Sequence, residues 1–178
     1  MKKIYLARHA TTHHAQKEQQ DRDRPLTTKG REEAYWLGQK IKDVPPSIII
    51  SSSAIRAIET SEIILEILDS DILDPSILDR GIELVRIPEL YLAPSQIILR
   101  NLAKLSNKHE TALLVGHNPG LSQFLFDISG PSSDRTALQR VYGGLPPAGF
   151  GILKSNLENW TDLTKINTGL EKIYYPGE

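Results

Sequence analysis

The stretch Lys3-Ile4-Tyr5-Leu6-Ala7-Arg8-His9 decides how this chain is read. Its apolar run, residues 4–7, has the length and composition of a short buried strand, set almost at the N-terminus. The strand ends in a guanidinium beside an imidazole. The rigid donor fork of arginine matches the oxygens of a phosphoryl group. A neutral histidine is a competent nucleophile near neutral pH. Taken alone, such a pair would more often be a surface feature. It gains weight because the same kinds of group recur at equivalent places further along.

Outward from this strand, apolar runs alternate with helical patterns. Residues 10–26 are polar and read as a long loop ending in Arg24-Pro25-Leu26. Thr27 or Thr28 caps a helix to about Lys42, with Ala34, Leu37, Gly38 and Ile41 on one face, and Pro45-Pro46 stops it. Ser47-Ile48-Ile49-Ile50-Ser51 is a second strand, and Ser52 or Ser53 caps a helix to about Leu68. Residues 69–80, rich in Asp, Pro and Ser, read as loop. A third strand is expected over 82–87, a helix over 95–105 and a fourth strand over 111–115. Asn118-Pro119 opens another helix, asparagine as cap and proline in the first turn. Residues 129–147 read as irregular. Residues 150–153 and 163–166 read as late strands paired in a hairpin. The alternation predicts an α/β fold of three layers: a mainly parallel central sheet, helices on both faces and an antiparallel edge, in one domain over residues 1–178.

Composition narrows the function classes. The chain has 178 residues, enough to bury a core without staples. A net charge of −1 gives no argument for nucleic acid or an anionic membrane, so any anion site must be local. The absence of cysteine removes disulfides, thiolate catalysis and cysteine-metal sites. No run has the length of a membrane span, and the start is too short for a signal peptide; a cytoplasmic location is the expectation. Neither a metal nor another cofactor is expected. His13-His14 lies in a polar loop without matching carboxylates, and no nucleotide-cradling glycine loop is present.

Three junctions carry the chemistry. In an open α/β sheet, ligands bind beyond the carboxyl ends of the strands. The first junction offers Arg8 and His9, the second Ser51-Ser52-Ser53 and Arg56, and the third Gly116-His117-Asn118. With parallel neighbours, two arginines and two histidines meet at one sheet edge. The helices opening there add N-terminal amides that favour an anion.

Four motifs then resemble those of the histidine phosphatase (phosphoglycerate mutase-like) superfamily. They are Leu6-Ala7-Arg8-His9-Ala10, the segment from Arg24-Pro25-Leu26-Thr27 to Ala34, the segment Ser51-Ser52-Ser53-Ala54-Ile55-Arg56-Ala57-Ile58-Glu59-Thr60, and Val115-Gly116-His117-Asn118-Pro119. They follow family order up to about residue 120. The short length and the Arg24–Thr27 segment look most like the SixA-type phosphohistidine phosphatase branch. The resemblance implies that His9 is transiently phosphorylated, with Arg8, Arg56 and His117 completing the phosphate pocket. It makes Glu89 the candidate general acid by order. Thr12, Arg24 and Asn118 are candidate substrate contacts.

Three functions compete. The first is a metal-independent phosphatase acting on phosphohistidine in a signalling protein. The second is a phosphatase or mutase acting on small phosphate esters. The third is a noncatalytic phospho-ligand module, against which an intact nucleophile argues. A short segment at 88–94 implies an open pocket that suits a phosphorylated protein side chain.

Overall fold

The computed structural model describes residues 1–70 and 81–178. Its centre is a six-stranded sheet of β1 (Lys2–Arg8), β2 (Ile48–Ser52), β3 (Glu83–Ile87), β4 (Thr111–Gly116), β5 (Phe150–Ser155) and β6 (Thr168–Tyr174), in the order β3-β2-β4-β1-β5-β6. The four strands from β3 to β1 are parallel neighbours; β5 runs antiparallel to both β1 and β6. The helices are α1 (Thr28–Ile41), α2 (Ile55–Ser70), α3 (Ser95–Ala103), α4 (Gly120–Ile128) and α5 (Arg135–Tyr142).

The alternation of side chains along β1 divides the core into two. Ile4 and Leu6 join Ile48, Ile50, Leu114 and residues of α3, α4 and α5 on one face. Tyr5 and Ala7 join Ile49, Leu113, Val115 and residues of α1 and α2 on the other. Strands buried on both faces read as continuous apolar runs, as β1, β2 and β4 do. The expected three-layer α/β fold is the one observed. No described helix is long and apolar enough to cross a membrane.

Several expectations change. Residues 129–147 contain α5, whose start is capped by Asp134 accepting a hydrogen bond from Ala137 N at 2.8 Å. The second late strand is β6, not 163–166. That segment lies between and within two short 3-10 turns, Trp160–Asp162 and Lys165–Asn167, with Leu163 buried and Ile166 exposed. The helix after β4 begins at Gly120, and Asn118 does not cap it. Asn118 Nδ2 instead donates to Leu145 O, and its Oδ1 accepts from Ser122. The loop expected over 69–80 lies, for 71–80, outside the described residues.

Strand register builds the site. Ala7 is level with Val115, and Val115 with Ser51. The residues just beyond therefore emerge side by side: Arg8 and His9, Ser52, and His117. The backbone N–H of His9 donates to Gly116 O at 3.1 Å, fixing the two histidine junctions against each other.

Candidate active site

His9 and His117 lie with ring centroids 5.1 Å apart, both buried. Arg56, 2 % exposed, runs between them from the first turn of α2. Its Nε donates to His9 Nε2 at 3.1 Å, and its Nη2 lies 3.4 Å from His117 Nδ1. An arginine nitrogen can only donate here. His9 Nε2 therefore carries a lone pair, and the ring proton sits on Nδ1, which donates to Ala10 O at 2.8 Å. By the same logic His117 Nδ1 is an acceptor and its Nε2–H donates to Ser52 Oγ at 2.7 Å. Both imidazoles are thus neutral, with Nε2 of His9 unprotonated.

The electrostatics agree with this geometry. Burial pushes the His9 pKa down to about 4; the Ala10 hydrogen bond opposes the shift, and the charges of Arg56 and Arg8 reinforce it. Burial, then the proximity of His9 and Arg56, pushes His117 down to about 3. Desolvation disfavours the charged form, and neighbouring cations add to it.

The pocket retains an unused donor. Arg8 Nη1 donates to Leu145 O at 2.9 Å, but its Nε is buried and has no hydrogen-bond partner among the described residues. Buried donors are almost always paired, so an orphan beside His9 fits a bound oxyanion. Two guanidiniums place positive charge where the oxygens of a phosphoryl group could bind.

The other candidates have different places. Thr12 Oγ1 donates to Pro25 O at 2.8 Å and closes the base of the 12–26 loop. Arg24 binds Asp21 Oδ1 through Nε at 3.0 Å and Nη2 at 2.8 Å. Glu89 is half exposed and accepts from Arg100 Nη2 at 3.0 Å. The Arg100 hydrogen bond and charge hold its carboxyl below the usual range. An ionised carboxylate committed to another helix is poorly suited to donate a proton at neutral pH.

Two participants escaped the motif reading. Tyr91 and His117 pack edge to face, ring centroids 5.5 Å apart. Asp21, in the short turn Asp21–Asp23, closes over Arg56: Arg56 donates to Asp21 O at 2.6 Å and to Oδ2 at 2.9 Å, and Tyr91 donates to the same Oδ2 at 2.8 Å. Partial burial works to raise the Asp21 pKa. Hydrogen bonds from Tyr91, Arg24 and Arg56 outweigh it and bring the value to about 2. The signal available in sequence was only an acidic residue three before Arg24, which is too common to single out.

Comparison with known proteins follows the same outline. The family model of the histidine phosphatase superfamily (branch 1) matches residues 4–83. An uncharacterised protein of Mycobacterium leprae, ML1117, is 28% identical over 137 residues, 75% of each chain. The structure assigned as phosphohistidine phosphatase SixA from Nakamurella multipartitia superposes with a TM-score of 0.79 at 23% identity, covering 99% of this chain and 97% of that one. The corresponding Agrobacterium tumefaciens structure gives 0.74 at 25% identity, covering 98% and 99%. The fold is shared more widely: a mycobacterial glucosyl-3-phosphoglycerate phosphatase gives 0.65 at 14% identity, covering 96% and 97%. The motif order, the sheet topology and the two-histidine, two-arginine cluster thus agree with the match to the histidine phosphatase superfamily model over residues 4–83, and the whole chain shares the fold of structures assigned as SixA phosphohistidine phosphatases.

Proposed function

We propose that this enzyme removes the phosphoryl group from a phosphohistidine side chain of a protein through a covalent intermediate on His9. His9 Nε2 attacks phosphorus, the P–N bond breaks, and its electron pair goes to the leaving imidazole. Arg8 and Arg56 balance charge on the equatorial oxygens as the group passes, and the neutral His117 lines the pocket beside His9. Water then cleaves the His9 adduct and releases inorganic phosphate.

The observation that supports phosphohistidine over an ester is the state of the carboxylates. Among the described residues, the carboxylate bonded to the cluster is Asp21, and it is held ionised. An alkoxide leaving group wants a proton, whereas an imidazole protonated on its other nitrogen leaves as a neutral molecule. General acid catalysis is worth about 10²–10⁴-fold, so a site without a poised acid discriminates strongly between the two.

The test compares kcat/KM for a histidine-phosphorylated protein with that for small alkyl and aryl phosphates, after exhaustive chelation. Preference for phosphohistidine, undiminished by chelation, is expected. Acid-quenched enzyme should carry an acid-labile, base-stable phosphoryl group that His9→Ala eliminates. Higher efficiency on alkyl phosphates would replace this substrate class with small esters. An adduct surviving His9→Ala would move the nucleophile elsewhere.

A further inference from the structure

Asp21 is built into the site more firmly than a surface loop residue needs to be. Its Oδ1 is anchored by two nitrogens of Arg24, whose third donor, Nη1, binds His13 O at 2.7 Å. Its Oδ2 faces Arg56 Nη2 and the Tyr91 hydroxyl. The two oxygens therefore have separate duties. One fixes the carboxylate to its own loop; the other reaches into the catalytic cluster. The loop is held from α1 and α2 as well. Glu33 Oε2 accepts from Thr11 N at 2.9 Å, and Glu59 Oε2 accepts from Leu26 N at 2.6 Å.

The position of Asp21 relative to the transfer path follows from burial. His9 lies on the closed side, 6 % exposed. Arg56 reaches outward from it, Nε on the nucleophile and Nη2 on Asp21. The Asp21 side chain is 48 % exposed. In-line displacement puts the leaving group opposite the nucleophile, hence toward solvent, on the side of Arg56 that Asp21 occupies. A phosphoryl oxygen that takes over Arg56 Nη2 frees an acceptor site on Oδ2, while Arg24 keeps the carboxylate charged and in place.

We propose that Asp21 is a specificity-determining residue whose freed oxygen accepts a hydrogen bond from the N–H of the leaving imidazolium. This rests on the phosphohistidine reading and identifies what enforces it. The proton stays on the ring nitrogen remote from phosphorus, the P–N electron pair returns to the other nitrogen, and neutral imidazole departs. The carboxylate raises the fraction of substrate in the protonated, reactive form. A phenolate or alkoxide instead develops negative charge beside the same carboxylate and is repelled. One fixed charge thus favours the phosphoramidate and disfavours the ester.

The experiment measures kcat/KM for a chemically phosphorylated polyhistidine peptide and for p-nitrophenyl phosphate, across pH, in the native chain, Asp21→Asn and Asp21→Glu. In Asp21→Asn, phosphohistidine cleavage should fall by about tenfold or more while aryl phosphate cleavage holds or rises, the exchange expected from removing one nearby charge. The alkaline limb of the phosphohistidine profile should move to lower pH, because the imidazolium is no longer supported. Asp21→Glu should retain the preference. Parallel loss of both activities in a folded Asp21→Asn enzyme would make Asp21 a mere brace for Arg56 and overturn the proposal, as would an unchanged ratio. A native enzyme that favours the aryl phosphate would bring down the phosphohistidine reading itself, whatever the variants do.

Discussion

At the scale of single residues, the site is a device for keeping one lone pair available. Thr60 Oγ1 accepts from Ala10 N at 3.1 Å and donates to Arg56 O at 2.6 Å. It thereby fixes both the carbonyl that takes the His9 Nδ1 proton and the helix turn that presents Arg56. Arg56 acts through the shape of its fork, because Nε meets His9 while Nη1 and Nη2 meet the backbone and side-chain oxygens of Asp21. A lysine supplies the charge as a point and cannot reproduce that geometry. Arg56→Lys should therefore lower kcat by about 10²–10³-fold, the usual cost of losing an oriented donor to a developing oxyanion. Steady-state kinetics on any accepted phosphate would check it; a change confined to KM would mean that Arg56 binds the ground state only.

At the scale of elements, what was legible in the sequence was what short range encodes. Strands β1, β2 and β4 announce themselves as apolar runs, and the chemistry sits at their ends or within four residues past them. Arg8, His9, Arg56 and His117 could be read from junctions alone. Asp21 could not, because its meaning depends on a loop returning across α2 to Arg56. α5 was missed because its buried face is slight: Ala137 and Val141 are its buried residues. β6 was misplaced because it carries only a broken alternation and pairs with β5 through a register shift at Ile152/Leu153. The segment after His9 also depends on how closely α1 approaches it. A Cβ at Gly30 would lie 2.0 Å from Thr11 O, a backbone atom that cannot yield without moving the loop. Gly30→Ala should cost about 1–3 kcal/mol as an overpacking change. Because Thr11 belongs to the segment that begins at His9, activity should fall with stability. Denaturant unfolding alongside kcat/KM tests this; a stable, fully active variant would show that the loop adapts freely.

At the scale of the whole molecule, the catalytic arrangement carries a cost in acid. His9 and His117 are held neutral, with pKa values of about 4 and about 3 against 6.5 for the free side chain. Below about pH 6.5 the unfolded chain takes up protons that the folded chain refuses. The unfolded state then binds more protons, so stability rises with pH through this window and falls as pH drops. Stability from these groups is complete above pH 6.5 and is lost progressively as pH falls toward about 4. The shift on His9 alone corresponds to a loss on the order of 3 kcal/mol. The two rings are neighbours, so their protons are taken up as a coupled pair and the loss belongs to both. Replacing His9 by Gln removes one refused proton and leaves an uncharged side chain in its place. Its unfolding free energy should fall less steeply from pH 7 to pH 4.5 than that of the native chain, even where its absolute stability is lower. Urea titrations at pH 7, 6, 5 and 4.5 on both proteins would read the two slopes. Equal slopes would mean that the folded protein protonates His9 as readily as water does, and the neutral nucleophile on which the mechanism depends would have to be abandoned.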